Sequence, residues 1–263
     1  MLVGWLSTMF TGEWRAHHIK VSRIAQYGEQ HSTNRSSEGK QWSSSNEQLA
    51  STTKRLIIVT WHTYLYQRGG YPMRLTAPRI NPLAETDIAP DLLALLGPRF
   101  KAMPVLNIFR TLAHAPKAFK RFMAWGGYIL SDANSLSARD RELVILRTGF
   151  NWRSGYEWAQ HVRIGLDCGL TESEIERIKS GPEAPGWQLS DRALLQATDE
   201  LTSDAFISDA TWAALDNYSE KQRMDLVMTV AQYTQVSMML NTFGVQLDED
   251  LTLDPDLSSI NSV

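Results

Sequence analysis

Cysteine is almost missing from this 263-residue chain, where Cys168 stands alone. One thiol cannot close an intramolecular disulfide, which excludes a disulfide-stapled scaffold and an internal dithiol redox couple. A lone cysteine also fits a reducing compartment, so a cytoplasmic protein is expected. Long apolar runs are missing as well. The opening Met1-Leu2-Val3-Gly4-Trp5-Leu6 is soon broken by Thr11, Gly12, Glu13 and Arg15, too short for a membrane span and without the basic region of a signal peptide. Glu13, Glu29, Glu38 and Glu47 argue against a mitochondrial transit peptide. Nor is positive charge in excess: 26 Lys and Arg against 29 Asp and Glu give a net charge of -3 with no basic stripe. The electrostatic footprint of a nucleic-acid binder is therefore absent. No glycine-rich phosphate loop occurs, Gly126-Gly127 between aromatics not being one, and no internal repeat is found.

What is present is an ordinary apolar content of 43 %, enough for a buried core. Three regions are expected. Residues 1–72 form a poorly ordered N-terminal extension, polar through 30–53, with one candidate strand at 54–66 that has no evident partner. Its histidines, His17, His18, His31 and His62, lack cysteine or acidic partners at ligand spacing, so no metal site is expected. Residues 73–251 form a helical domain, and 252–263 a flexible tail. Asp248, Glu249 and Asp250 lead into that tail as a solvated stretch.

Within the domain, Pro78, Pro82, Pro90, Pro98 and Pro104 mark an extended or short-helical entry. A helix over 107–115 stops before Pro116, which opens the next one, with Phe119, Phe122, Met123 and Leu130 facing inward. Ser137 caps a helix that should stop near Gly149. Ser154 stands where an N-cap would start a second helix, which Gly169 ends. Thr171 and Glu174 make a capping-box pattern for a short helix ending near Gly181, Ser190 starts another, and Ser208 and Ser219 cap two more. The last helix, Glu220 to Phe243, carries Leu226, Val230, Tyr233, Val236 and Leu240 at core spacing. Its methionines suit helix packing or a second subunit.

The chemically suggestive residues sit between Ser137 and Gly169. His161 is one of two histidines after Met73, and Glu157 lies four residues before it, one helical turn away; Glu142 can reach it from the preceding helix. An imidazole beside carboxylates is a general acid/base, although an i,i+4 Glu/His pair also serves as a surface helix contact worth roughly 0.2 to 0.5 kcal/mol. Arg147 and Arg163 are candidate clamps for a substrate carboxylate, or partners of Glu142 or Asp167. Trp152, Tyr156 and Trp158 either line a flat apolar pocket or build the core. His114, at a helix end, is either functional or bonded to terminal carbonyls.

Four segments carry a family likeness: Leu112-Ala113-His114-Ala115-Pro116; Leu136-Ser137-Ala138-Arg139-Asp140-Arg141-Glu142-Leu143; Tyr156-Glu157-Trp158-Ala159-Gln160-His161-Val162-Arg163; and Gly169-Leu170-Thr171-Glu172-Ser173-Glu174-Ile175. In order and spacing they resemble the carboxymuconolactone decarboxylase family, which includes the alkylhydroperoxidase D-type (AhpD-like) proteins; the likeness spans about 75–251. It implies an all-α fold of antiparallel helix pairs that oligomerises, as a trimer or hexamer. Peroxidase members carry a Cys-x-x-Cys pair that falls on Ser154 and Glu157 here. The pair is absent, and Tyr156 to Arg163 resembles the decarboxylase branch instead. The resemblance then implies a cofactor-independent carboxy-lyase acting on a small cyclic or lactone acid, with His161, Glu142 and Glu157 catalytic and Arg147, Tyr156, Trp158, Ser154 and His114 near the substrate. An alkylhydroperoxidase-like antioxidant and a non-catalytic ligand-binding oligomer remain the alternatives. The partners expected are a small-molecule substrate and further copies of the chain, with neither nucleic acid nor membrane.

Overall fold

A computed structural model describes residues 73–97 and 103–258; the extension, its candidate strand and its four histidines lie outside the described residues. The described residues contain nine α-helices and no strand. These are α1 (Pro90–Leu93), α2 (Asn107–Leu112), α3 (Pro116–Ile129), α4 (Ala138–Asn151), α5 (Gly155–Asp167), α6 (Glu172–Ser180), α7 (Leu189–Asp204), α8 (Asp209–Ala214) and α9 (Glu220–Phe243). Short 3-10 turns flank α1 and close the chain at Pro255–Leu257. No helix among them is long and apolar enough to cross a membrane.

The helix starts follow local chemistry. Ser137 Oγ accepts the Asp140 N–H at 3.0 Å, and Ser208 does the same for Thr211. Thr171 with Glu174 and Ser219 with Gln222 complete capping boxes, each cap typically worth about 1 kcal/mol. Two expected starts differ. The chain enters α7 at Leu189, because the Gln188 carbonyl already accepts the Arg192 N–H at 3.0 Å; Ser190 falls inside the first turn. Ser154 does occupy the N-cap of α5, but its hydroxyl makes no capping bond.

Helix α4 is the hub. Arg141, Glu142, Leu143, Val144, Ile145, Leu146, Thr148 and Gly149 are all buried, a run that covers every side of the helix. Such a helix has to be enclosed by neighbours. Leu143, Val144 and Leu146 join the main core with Leu194, Leu195 and Leu226 of α7 and α9. Ile145 points the other way, onto Ile129 of α3 and Tyr233 of α9. At about 1.5 to 3 kcal/mol for each fully buried large aliphatic side chain, this helix anchors the fold. It runs to Asn151, two residues past the expected stop at Gly149. In α3, Ile129 takes the buried position expected of Leu130, which is 46 % exposed. One residue is 100° of helix, so a register fixed by Phe119 and Ile129 turns Leu130 outward.

The chain end also departs from expectation. Leu253 and Leu257 pack into the main core, and Lys179 Nζ holds Asp254 at 2.7 Å and Asp256 at 3.1 Å, so 252–258 is a packed strap. Asp248 is not merely solvated: it accepts hydrogen bonds from the Tyr156 hydroxyl at 2.6 Å, the Asn107 N–H at 2.8 Å and the Gln160 amide at 2.7 Å.

Candidate functional site

Two glycines let α4 and α5 approach closely. A Cβ on Gly149 would lie 3.3 Å from Glu157 Cγ, and one on Gly165 would lie 3.1 Å from Leu170 Cδ1 and 3.2 Å from Leu146 Cδ1. The three-residue link between the helices includes Arg153 at φ 52, a left-handed conformation that costs a non-glycine residue about 1 to 2 kcal/mol. This tight hairpin brings Glu142 of α4 against His161 of α5.

His161 Nδ1 lies 2.6 Å from Glu142 Oε2. On its other side, Nε2 is 2.9 Å from Glu157 Oε1. That second contact is ionic rather than a well-aligned hydrogen bond, since Glu157 Oε1 lies off the ring N–H direction and is otherwise unpartnered. His161, Glu142 and Glu157 are 6 %, 0 % and 3 % exposed. Burial alone would push the imidazole toward its neutral form, but the charges of Glu142 and Glu157, together with the Glu142 hydrogen bond, more than offset this and hold its pKa at about 10. The ring is therefore an imidazolium at neutral pH. Tyr233 of α9 meets it edge to face, with centroids 5.0 Å apart at 85°. Burial, then the neighbouring Glu157 and Glu142, raises the Tyr233 phenol well above its ordinary value, keeping it a proton donor.

The other expected site residues are placed differently. Arg147 is fully engaged: Nε and Nη2 grip Asp199 at 2.6 and 2.8 Å, and Nη1 donates to the Ile178 and Lys179 carbonyls. Its carboxylate partner is Asp199, which α7 presents directly opposite it, rather than Glu142 or Asp167. Arg163 is exposed on the outer face of α5. Tyr156 and Trp158 do not share a pocket, since two residues apart on a helix point to nearly opposite sides. Tyr156 packs with Val236 and Leu240 and bonds Asp248, whereas Trp158 lies in the main core against Phe150. Trp152 donates its indole N–H to Thr234 of α9. His114 is exposed, with Nε2 2.9 Å from the Asn81 carbonyl rather than from its own helix end. Ser154 is fully buried and its Oγ has no partner. A shallow cavity of about 270 Å³, lined by Phe150, Asn151, Arg153, Asp256 and Leu257, includes none of the candidate residues.

Two residues at the cluster carried no assigned role in the sequence. Tyr233 fell within the apolar spacing of α9 and its hydroxyl gave no separate signal. Arg141 precedes Glu142 at the head of the apolar run 143–146; an arginine inside a buried run was the available cue. Among the described residues, no group of three or more His, Cys, Asp or Glu side chains has the geometry to hold a metal ion.

The model of the carboxymuconolactone decarboxylase family matches residues 116–200, the stretch that contains Glu142, Glu157 and His161. No curated protein matches the chain. Among solved structures, an AhpD-core, uncharacterized peroxidase-related protein from Ralstonia eutropha JMP134 superposes with a TM-score of 0.58 at 22 % identity, covering 65 % of this chain and 93 % of its own. The debrominase Bmp8, as a cysteine-to-alanine variant in complex with 2,3,4-tribromopyrrole, gives 0.56 at 15 % identity over 65 % of this chain and 91 % of its own. A peroxidase-related protein from Silicibacter sp. TM1040 gives 0.56 at 14 % identity, with 68 % and 93 % covered. At these identities the likeness to solved structures concerns the fold. The chain therefore carries a carboxymuconolactone decarboxylase family match over 116–200 and shares the AhpD-like helical fold of these structures.

Proposed function

We propose that this protein is a cofactor-independent carboxy-lyase that removes carbon dioxide from a small cyclic or lactone carboxylic acid by proton chemistry centred on His161. The observation that carries the reading is the buried imidazole held between Glu142 at 2.6 Å and Glu157 at 2.9 Å. In an unsaturated lactone acid, breaking the bond to the carboxylate leaves its electron pair delocalised through the ring C=C into the lactone carbonyl. The resulting dienolate needs charge stabilisation and a proton on carbon. His161 supplies that proton from Nε2, whose contact with Glu157 is misaligned and so least costly to exchange for substrate. The balance closes as carboxylate plus proton giving the protonated ring and carbon dioxide, with His161 reprotonated from water. Glu142, bonded to Nδ1, keeps the ring oriented and stabilises its charge. A pKa of about 10 is no obstacle, because a carbanionic centre is a far stronger base than imidazole.

Further copies of the chain are part of this proposal. Met224 and Met238 on α9 and Trp125 on α3 are 56 %, 51 % and 41 % exposed, apolar surface that a trimer or hexamer would cover. Sedimentation of the purified chain reports the assembly directly.

The test is carbon dioxide release from carboxymuconolactone by the wild type and by His161→Ala. Turnover that disappears in the variant supports the reading. Wild-type protein that releases no carbon dioxide from this substrate or from related lactone acids, yet consumes organic hydroperoxide with a dithiol reductant, replaces it with a peroxidase.

A further inference from the structure

Arg141 is a buried cation with no carboxylate partner among the described residues. Its residue exposure is 8 %, its one hydrogen bond runs from Nη1 to the Ser131 carbonyl at 3.3 Å, and its Nε is sealed from solvent with no partner. Among the described residues it has no carboxylate within ion-pair distance. The neighbouring arginines differ: Arg139 grips Asp191 and Glu174, and Arg147 grips Asp199. Burying a guanidinium without a counter-ion is costly, and such a group persists where something other than the fold completes it.

Its position says what. Arg141 immediately precedes Glu142 and stands one turn before Ile145, which packs with Tyr233; Tyr233 in turn lies against the His161 ring. The guanidinium is thus within electrostatic reach of the phenol that meets the imidazolium edge to face. The charge of Arg141 acts on the Tyr233 phenol in opposition to the two glutamates. An imidazolium between two carboxylates would repel an incoming anion, and Arg141 brings that sum to neutrality. Its free Nε edge offers the planar fork that fits a carboxylate.

We propose that Arg141 is the specificity-determining carboxylate anchor of this site, its Nε edge holding a carboxyl group that the substrate keeps through the reaction. The inference rests on the carboxylic-acid substrate proposed above. The anchored group is not the one lost, because pairing the departing carboxylate with a guanidinium stabilises the ground state and slows its loss.

The probe is 5-oxotetrahydrofuran-3-carboxylate, a saturated and unreactive lactone acid, compared with its methyl ester by calorimetric titration of the full chain. A charge-assisted bond predicts that the wild type binds the acid at least about tenfold more tightly than the ester. Arg141→Gln abolishes that preference, and Arg141→Lys, which keeps charge without the fork, retains part of it. Circular dichroism melts show whether each variant folds; if Arg141→Gln does not, the acid-to-ester ratio in wild type still decides. Equal binding of acid and ester, binding of neither, or a preference that survives Arg141→Gln overturns the assignment. Failure of the lyase reading looks different: no carbon dioxide release, with the Arg141-dependent preference for the acid intact. Turnover with KM unchanged in Arg141→Gln keeps the lyase and discards the anchor.

Discussion

Raising the pH from neutrality toward 11 should destabilise this fold by deprotonating His161. The folded pKa of about 10 lies above the roughly 6.5 of an unfolded histidine, so the native state binds the proton more tightly. Stability falls with pH wherever the native state holds more protons than the unfolded one. The contribution is therefore fully present below about pH 6.5, declines between there and about pH 10, and is gone above. The difference of about 3.5 units sets a ceiling of about 5 kcal/mol, a large share of the 5 to 15 kcal/mol typical of a domain. The cause is specific. Desolvation works against the charged ring, and Glu142 and Glu157 together outweigh it, so removing one carboxylate should collapse the shift.

Urea denaturation of wild type and His161→Gln at about pH 6, 8 and 10 isolates this group from other titrating residues, since only the difference in pH dependence belongs to His161. Nitrogen-proton correlation spectra of the imidazole should show both ring nitrogens protonated at pH 8. In Glu142→Gln the titration midpoint should fall, and loss of one partner from a buried ion pair should cost about 3 to 5 kcal/mol at neutral pH. An imidazole neutral at pH 7, or identical pH dependence in wild type and His161→Gln, would refute the electrostatic argument and with it the proton-donor role.

The residues moved off the site give further outcomes. Tyr156→Phe removes the 2.6 Å bond to Asp248 and should lower stability by about 1 to 3 kcal/mol in urea melts while leaving KM unchanged. Arg147→Ala frees two carbonyls and leaves Asp199 with only the Asn151 amide, and should destabilise by about 1 to 3 kcal/mol without selectively weakening carboxylate binding in titration calorimetry. Leu253→Ala opens a hole in the main core and should cost about 2 to 4 kcal/mol by thermal melt; no loss would mean that 252–258 is a loose tail after all. Ser154→Ala deletes a buried hydroxyl that has no partner, so stability should stay within about 1 kcal/mol, and a raised KM would return Ser154 to the substrate.

Helix starts were legible in the sequence where one side chain decides them, as at Ser137, Thr171, Ser208 and Ser219. The His161 cluster was legible because i,i+4 spacing fixes Glu157 and only one helix turn of α4 offers an acid to meet it. What spacing does not encode is the partner across a tertiary contact. Arg147 and Asp199 lie 52 residues apart, Tyr156 and Asp248 lie 92 apart, and only the packing of α7 and of the chain end against α4 and α5 chooses those pairs. For the same reason a polar stretch such as 248–258 looked solvated: its short apolar residues, Leu253 and Leu257, reveal their burial only once the groove beside Trp158 and Ile178 exists.

On the lyase reading proposed above, a carboxylate rather than a thiol at position 157 would suit this hairpin to proton chemistry. By resemblance, Ser154 and Glu157 occupy the positions where peroxidase-type members carry their thiols. A thiol one turn before the histidine can surrender its proton to the ring and become a nucleophile toward peroxide. A carboxylate in that place has no such reaction; it holds the ring charged instead. Nor does Cys168 restore the lost couple, since it lies seven residues beyond His161, about 10 Å further along the helix axis. A Cβ on Gly149 would stand 3.3 Å from Glu157 Cγ, so this glycine leaves room for the carboxylate side chain. Enlarging it should therefore disturb the imidazolium before it disturbs the fold: Gly149→Ala is expected to lower the His161 titration midpoint, read by the same imidazole spectra, while the gain in helix propensity of up to about 1 kcal/mol offsets part of the steric cost. A variant with an unchanged midpoint would show that Glu157 is held by something other than the closeness of the two helices.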